Sequence, residues 1–111
     1  MLDNFLIKNL NSINKACDKY NVERLYVFGS IVDGRFIEGK SDIDMLVEFS
    51  DIHTSSDQKP DMLLKLWIRL QSILESKVDL IVNENIDDEH FIKYLNLYKQ
   101  LVYERIREVN D

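Results

Sequence analysis

One cysteine, one proline and three glycines among 111 residues leave this chain few covalent or conformational devices. Cys17 has no partner for an internal disulfide and falls on the apolar stripe of the first helical pattern, which reads as a buried core thiol rather than a nucleophile or ligand. Long hydrophobic runs are missing as well. Apolar residues make up 45% of the chain, yet no stretch approaches the roughly 20 consecutive apolar residues that span a bilayer. No basic start leads into an apolar run as it would in a signal peptide, so a soluble, cytoplasmic protein is expected. Clusters of Lys and Arg are absent from the first two thirds, and the formal net charge is −6. Nucleic-acid binders gather their basic residues into a patch or stripe, so template-directed chemistry is not expected. Lys93, Lys99, Arg105 and Arg107 do group, but Glu104 and Glu108 are interleaved with them, the pattern of a solvated helix face, with partner docking as the lesser reading. There are no internal repeats and no low-complexity segments. The length suits a single domain, 1–111, with one core.

What the chain does have is concentrated. All three glycines lie between residues 29 and 39, and the stretch runs on into Ser41-Asp42-Ile43-Asp44. Leu25 to Phe28 before it and Met45 to Val47 after it are β-prone apolar runs. In a strand, residues i and i+2 share a face, so Asp42 and Asp44 project together while Ile43, Met45, Val47 and Phe49 cover the other side. Two carboxylates so placed repel one another and raise their own pKa values unless a cation sits between them. Hard divalent ions with oxygen ligands are the natural occupants; magnesium in particular takes one or two carboxylates and completes its shell with water and substrate phosphate. Gly29 allows a sharp turn and close backbone approach to a ligand, and Ser30 adds a hydroxyl donor there.

A two-metal displacement commonly uses one more oxygen ligand. Val78-Asp79-Leu80-Ile81-Val82 offers it: an acid embedded in an apolar strand is expensive unless paired or metal-bound. Alone, Asp79 reads equally well as an exposed residue at the strand's start; beside the Asp-x-Asp pair, the metal reading is preferred. His53, in the polar stretch Ser50 to Pro60, reads as solvated. His90, with Asp87, Asp88 and Glu89, reads as part of a helix start where acids favour the dipole. Trp67 reads as core or interface rather than a base-stacking platform.

Helical and strand patterns alternate. Leu2, Phe5, Leu6, Leu10, Ile13, Cys17 and Tyr20 mark a first helix closed by Asn21, and a short helix is expected from Ser30 to Phe36. A loop then leads to a strand over 42–49, and Ser50 to Pro60 reads as a mobile loop. Leu63, Leu66, Trp67, Leu70, Ile73 and Leu74 mark an amphipathic helix, the Asp79 strand follows, and residues 87 to 109 read as a last helical region, with Asn96 or an extended piece at Leu101-Val102-Tyr103 as its candidate break. This alternation predicts an α/β domain with a small, mainly three-stranded sheet covered by helices.

Taken in order, Gly29-Ser30, Gly34, Ser41-Asp42-Ile43-Asp44 and the strand-borne Asp79 resemble the minimal nucleotidyltransferases of the polymerase-beta-like nucleotidyltransferase superfamily, antitoxin-type members included. The resemblance implies a mixed rather than parallel sheet in a polymerase-beta palm-like fold. It also implies two magnesium ions, with Asp42 and Asp44 on both and Asp79 on the ion that activates the acceptor hydroxyl. Gly29, Ser30 and Ser41 would hold the triphosphate of ATP. Many members carry basic residues in the turn after Gly-Ser; here the turn reads Ile31-Val32-Asp33, which leaves Arg35 and Lys40 as the loop bases for the nucleotide. The implied reaction is transfer of a nucleoside monophosphate, AMP from ATP, to a hydroxyl with release of pyrophosphate. The acceptor would be a partner protein such as a HEPN-type toxin, since a chain this small has no second domain to bind a small molecule. A small-molecule acceptor at a homo-oligomer interface and a non-catalytic nucleotide-binding module are the alternatives.

Overall fold

In the computed structural model, which describes residues 2–106, the elements follow the order α1 (Asn4–Lys19), β1 (Val22–Phe28), α2 (Ser30–Asp33), β2 (Ile43–Phe49), α3 (Lys59–Leu74), β3 (Val78–Val82), a 3-10 turn at Asn83–Asn85, α4 (Glu89–Tyr98) and β4 (Gln100–Glu104). Arg107 and Glu108 of the terminal charged face lie outside the described residues. The sheet is mixed, in the order β3-β2-β1-β4. β1 runs antiparallel to β2 and β4, whereas β2 and β3 are parallel.

The fourth strand corrects the three-strand expectation, and of the two candidate breaks in the 87–109 region it takes the extended piece at Leu101-Val102-Tyr103 rather than Asn96. Lys99 adopts an extended conformation and stops α4, and Gln100–Glu104 then pairs along β1. Tyr98 to Tyr103 carries apolar residues at spacings that suit either period, and only the free edge of β1 makes the extended choice favourable. The segment after β2 is more tied down than its composition implies. Ser50 and Thr54 are buried, the Asn21 side-chain amide donates to the His53 carbonyl at 3.2 Å, and Lys59, at the start of α3, pairs with both Asp51 and Glu84.

One face of the sheet carries most of the core. Leu25, Val27, Ile43, Met45 and Val47 pack with Phe5, Leu6, Ile13 and Cys17 of α1 and Leu66, Leu70 and Leu74 of α3. Burial pushes the Cys17 thiol up to about 12, which makes it inert as a nucleophile. The opposite face holds a smaller cluster, Phe28, Leu46 and Leu95, against which Tyr26, Ile81, Ile86, Phe91 and Tyr94 pack. Among the described residues only α4 lies across it, so this second face is thinly covered, and it is the face that Asp44 shares with Leu46.

α1 starts at Asp3, whose carboxylate accepts the Phe5 N–H at 2.8 Å. That cap sits two residues before the buried pair Phe5 and Leu6, so Asp3→Ala is expected to lower stability by about 1 kcal/mol. Urea unfolding would show it as a lower midpoint with an unchanged slope.

Candidate active site at the Gly29 turn

β1 ends at Phe28, and its antiparallel partner across the strand pair is Asp44. Gly29 follows at φ +75° and opens the single turn of α2, in which the Val32 and Asp33 N–H groups donate to the Gly29 carbonyl at 3.0 and 3.1 Å. A side chain at Gly29 would collide with Asp44: a Cβ built there falls onto Oδ2 and lies 3.3 Å from Cγ. Glycine is thus required twice at this position, once by the backbone angle and once by the carboxylate it touches.

On its other side Asp44 meets Asp79, its register partner in the parallel β2–β3 pair. The Asp44 carboxyl is held above the usual carboxylate range, by burial first, then by the charge and hydrogen bond of Asp79, with Asp42 a smaller contributor. The dominant carboxylate neighbour therefore comes from across the sheet, not from the i+2 position. Asp79 itself is exposed. The expectation of an acid embedded among apolar residues does not hold, because β3 is an edge strand; cross-strand placement, not burial, is what sets Asp79 beside Asp44.

Asp42 stands one residue before β2, with its Oδ2 3.5 Å from Lys77 Nζ. Turned this way, it does not close with the other two acids, and among the described residues no three His, Cys, Asp or Glu side chains form a ready-made ion cage. The donor set nevertheless fits a hard divalent cation. Three carboxylates reach one end of two adjacent strands, the Asp42 pair with Lys77 is solvent-exposed, and Asp44 is protonated more readily than a free carboxylate, as expected where a cation is the natural counter-charge.

The remaining nucleotide-binding candidates are placed as follows. The Ser41 hydroxyl oxygen accepts the Ile37 N–H at 2.9 Å and closes the 36–41 loop. Arg35 is engaged by its own loop: Nε and Nη2 lie 2.8 and 2.7 Å from Asp33 Oδ2. Lys40 occupies the exposed turn before Ser41. His53 lies beyond Phe49, at the far end of β2 from Asp44, with Nδ1 2.9 Å from the Ser50 hydroxyl. His90 is exposed on α4, its N–H donating to the Asp88 cap, and Trp67 donates its indole N–H to the Val78 carbonyl at 2.7 Å. Lys77 is the charged group at this site that sequence reasoning passed over; the step Lys77-Val78-Asp79 was its one available signal.

The Asp44 environment makes stability depend on pH in metal-free buffer. The native state binds the Asp44 proton more tightly than the unfolded chain does, so stability is fully present below the unfolded value of about 4 and is lost as pH rises through the higher native value. Asp44→Asn is expected to remove that loss, and with it the like-charge cross-strand pairing with Asp79, which costs about 0.2–1 kcal/mol. Denaturation midpoints at pH 4 and pH 7 in chelator would show the wild type weakening relative to the variant at the higher pH.

Comparison with known proteins places the fold. No curated protein matches the chain in sequence. A crystal structure of a toxin–antitoxin complex with AMP-PNP aligns with a TM-score of 0.66 at 23% identity, covering 87% of this chain and 74% of that one. An AMPylated Shewanella oneidensis HEPN toxin in complex with its MNT antitoxin aligns at 0.55 and 21% identity, covering 89% and 72%. A candidate minimal nucleotidyltransferase aligns at 0.58 and 22%, covering 82% and 87%. In sequence, residues 11–108 match the family described as polymerase beta, nucleotidyltransferase. With the match spanning both strands of the Gly29 turn, the Asp-x-Asp step and the Asp79 strand, the chain belongs to the polymerase beta nucleotidyltransferase family.

Proposed function

We propose that this protein is a magnesium-dependent nucleotidyltransferase that moves AMP from ATP to a hydroxyl on a partner protein, in the role of an antitoxin facing a HEPN-type toxin. The observation that carries the reading is the Asp44–Asp79 pair on adjacent strands, pressed against a glycine that no other residue could replace without moving Asp44. A purely structural sheet gains nothing from facing acids.

In this reading Asp42 and Asp44 would ligate both magnesium ions, and Asp79 would complete the set for the one that activates the acceptor hydroxyl. Magnesium, when bound, supplies charge neutralisation at the phosphates and lowers the pKa of the attacking hydroxyl. The chain's own groups do the positioning: Gly29 lets the backbone approach the phosphates, and the Ser30 and Ser41 hydroxyls donate to phosphate oxygens. Arg35 and Lys40 flank them from the loop. The acceptor oxygen bonds to the α-phosphorus as the bond to the bridging oxygen breaks and pyrophosphate leaves.

The partner role is supported by the company the fold keeps. The AMP-PNP complex and the AMPylated toxin complex are both toxin–antitoxin structures. Within this chain, Ile92, Leu97, Tyr98 and Leu101 are exposed on α4 and β4, an apolar surface of the kind that protein partners cover.

The test is transfer of label from α-phosphate-labelled ATP with magnesium into proteins of the native host's lysate. A labelled protein band that requires Asp44 is the expected result. Label appearing only in a small molecule would move the acceptor assignment, and no labelled product of either kind would overturn the enzyme reading.

A further inference from the structure

The parallel register that sets Asp44 against Asp79 also sets Ile43 against Val78. One step earlier, the Ile43 N–H donates to the Lys77 carbonyl at 3.0 Å, so the ladder extends to place Lys77 alongside Asp42. Residues two apart share a face. Asp42, Asp44, Lys77 and Asp79 therefore form the four corners of one patch, three acids and one base, on the thinly covered side of the sheet. The placement of Lys77 comes from backbone pairing rather than from a chance rotamer. The start of β3 is pinned from α3 as well, because the Val78 N–H donates to Gln71 Oε1 at 3.1 Å and the Val78 carbonyl accepts the Trp67 indole at 2.7 Å.

Of the loop bases, Lys40 lies on the exposed turn before Ser41, off the strand ladder, and other bases have partners of their own. Arg35 is held by Asp33, Lys8 pairs with Glu38, and Lys99 lies over the Tyr26 ring, 4.4 Å from its centroid. A triphosphate arriving at a patch of three carboxylates needs protein cations as well as metal, and the turn Ile31-Val32-Asp33 supplies none. Lys77 is a compact ammonium on a flexible stem, the form in which lysine binds phosphate as a point charge. Its contact with Asp42 is 3.5 Å long between side chains that are 67% and 46% exposed. Pairs of that kind contribute about 0–1 kcal/mol, so this one exchanges readily.

We propose that Lys77 is a further phosphate-binding cation of this site, paired with Asp42 in the structure and passed to a phosphate oxygen of the nucleoside triphosphate when Asp42 turns to a divalent cation. The proposal rests on the nucleotidyl-transfer reading and adds to it a residue and an exchange. Before nucleotide binds, Lys77 offsets one of three like charges. Afterwards it supplies the positive charge that the turn lacks.

The experiment uses the intact chain with inorganic tripolyphosphate and magnesium as the probe, followed by calorimetry. Lys77→Met keeps the stem and removes the charge. It is expected to weaken tripolyphosphate binding about tenfold or more, the loss typical of one hydrogen bond to a charged group, while magnesium alone binds no more weakly than to the wild type. In the transfer assay the KM for ATP rises and kcat changes little; Lys77→Arg recovers most of the affinity. The melting temperature is expected to stay put, since the side chain is exposed. Undiminished tripolyphosphate binding by Lys77→Met, in a protein whose wild type binds the probe and transfers nucleotide, would overturn the assignment of Lys77 alone. A wild type that binds no tripolyphosphate in magnesium would bring down this inference together with the reading beneath it.

Discussion

Asp44→Asn is expected to reduce nucleotidyl transfer about a thousandfold while the protein stays folded. Asparagine matches aspartate in shape, so the contact with Gly29 survives, and the seven-residue strand β2 keeps its buried residues, Ile43, Met45, Val47 and Phe49 on one face and Leu46 on the other. What disappears is the charge at the centre of the patch, the one acid with a carboxylate neighbour along the strand and another across it. Cation-mediated charge stabilisation in such reactions amounts to several kcal/mol, and about 4 kcal/mol corresponds to three powers of ten in rate. Single-turnover transfer at saturating ATP and magnesium is the measurement. Asp79→Asn should lose activity too, with most of its deficit at the acceptor step rather than in ATP binding. Retention of wild-type turnover by Asp44→Asn would remove metal-assisted chemistry from this patch.

Gly29→Ala is expected to damage both stability and transfer, and the two losses have separable causes. At φ +75° and ψ −144° the backbone lies in a region almost exclusive to glycine, and an L-residue held there costs about 1–3 kcal/mol. The added Cβ also lands on the Asp44 carboxylate, which must swing away from its place between Gly29 and Asp79. A displacement of about 1 Å in a catalytic group can cost about a hundredfold in rate. Gly34 supplies the control. Its φ is +88°, but a Cβ there meets nothing within 4 Å. Gly34→Ala should therefore show the stability loss with nearly normal transfer. Equal transfer by the two variants would mean that Gly29 serves the turn alone, and that crowding against Asp44 has no part in the chemistry.

The helices α1 and α3 were readable because each buries one stripe at helical spacing, and Pro60 falls in the first turn of the second. β1 to β3 were readable as short apolar runs, and the mixed sheet followed from the family resemblance. β4 was legible only as a candidate extended break at Leu101-Val102-Tyr103, not as a fourth strand of the sheet. An edge strand of five residues with one side exposed has a pattern that a helix end also satisfies, and its pairing partner lies more than 70 residues away in the chain. Neither the ties on the 50–60 segment nor the capture of Arg35 by Asp33 has a sequence signal, since both depend on which of several nearby polar groups comes within reach.

By itself, the order of residues determined that two acids at i and i+2 follow a glycine turn, that a third acid rides a later strand, and that helices and strands alternate. Periodicity and the conformational freedom of glycine are properties of consecutive residues, so one dimension suffices to express them. Which acid neighbours which was decided only in three dimensions. After burial, the parallel register of β2 and β3 makes Asp79, not Asp42, the leading charged neighbour that shifts Asp44. The same register brings Lys77 to Asp42 from 35 residues away, because hydrogen bonds between strands align residues by the geometry of the ladder, to which distance along the chain is irrelevant.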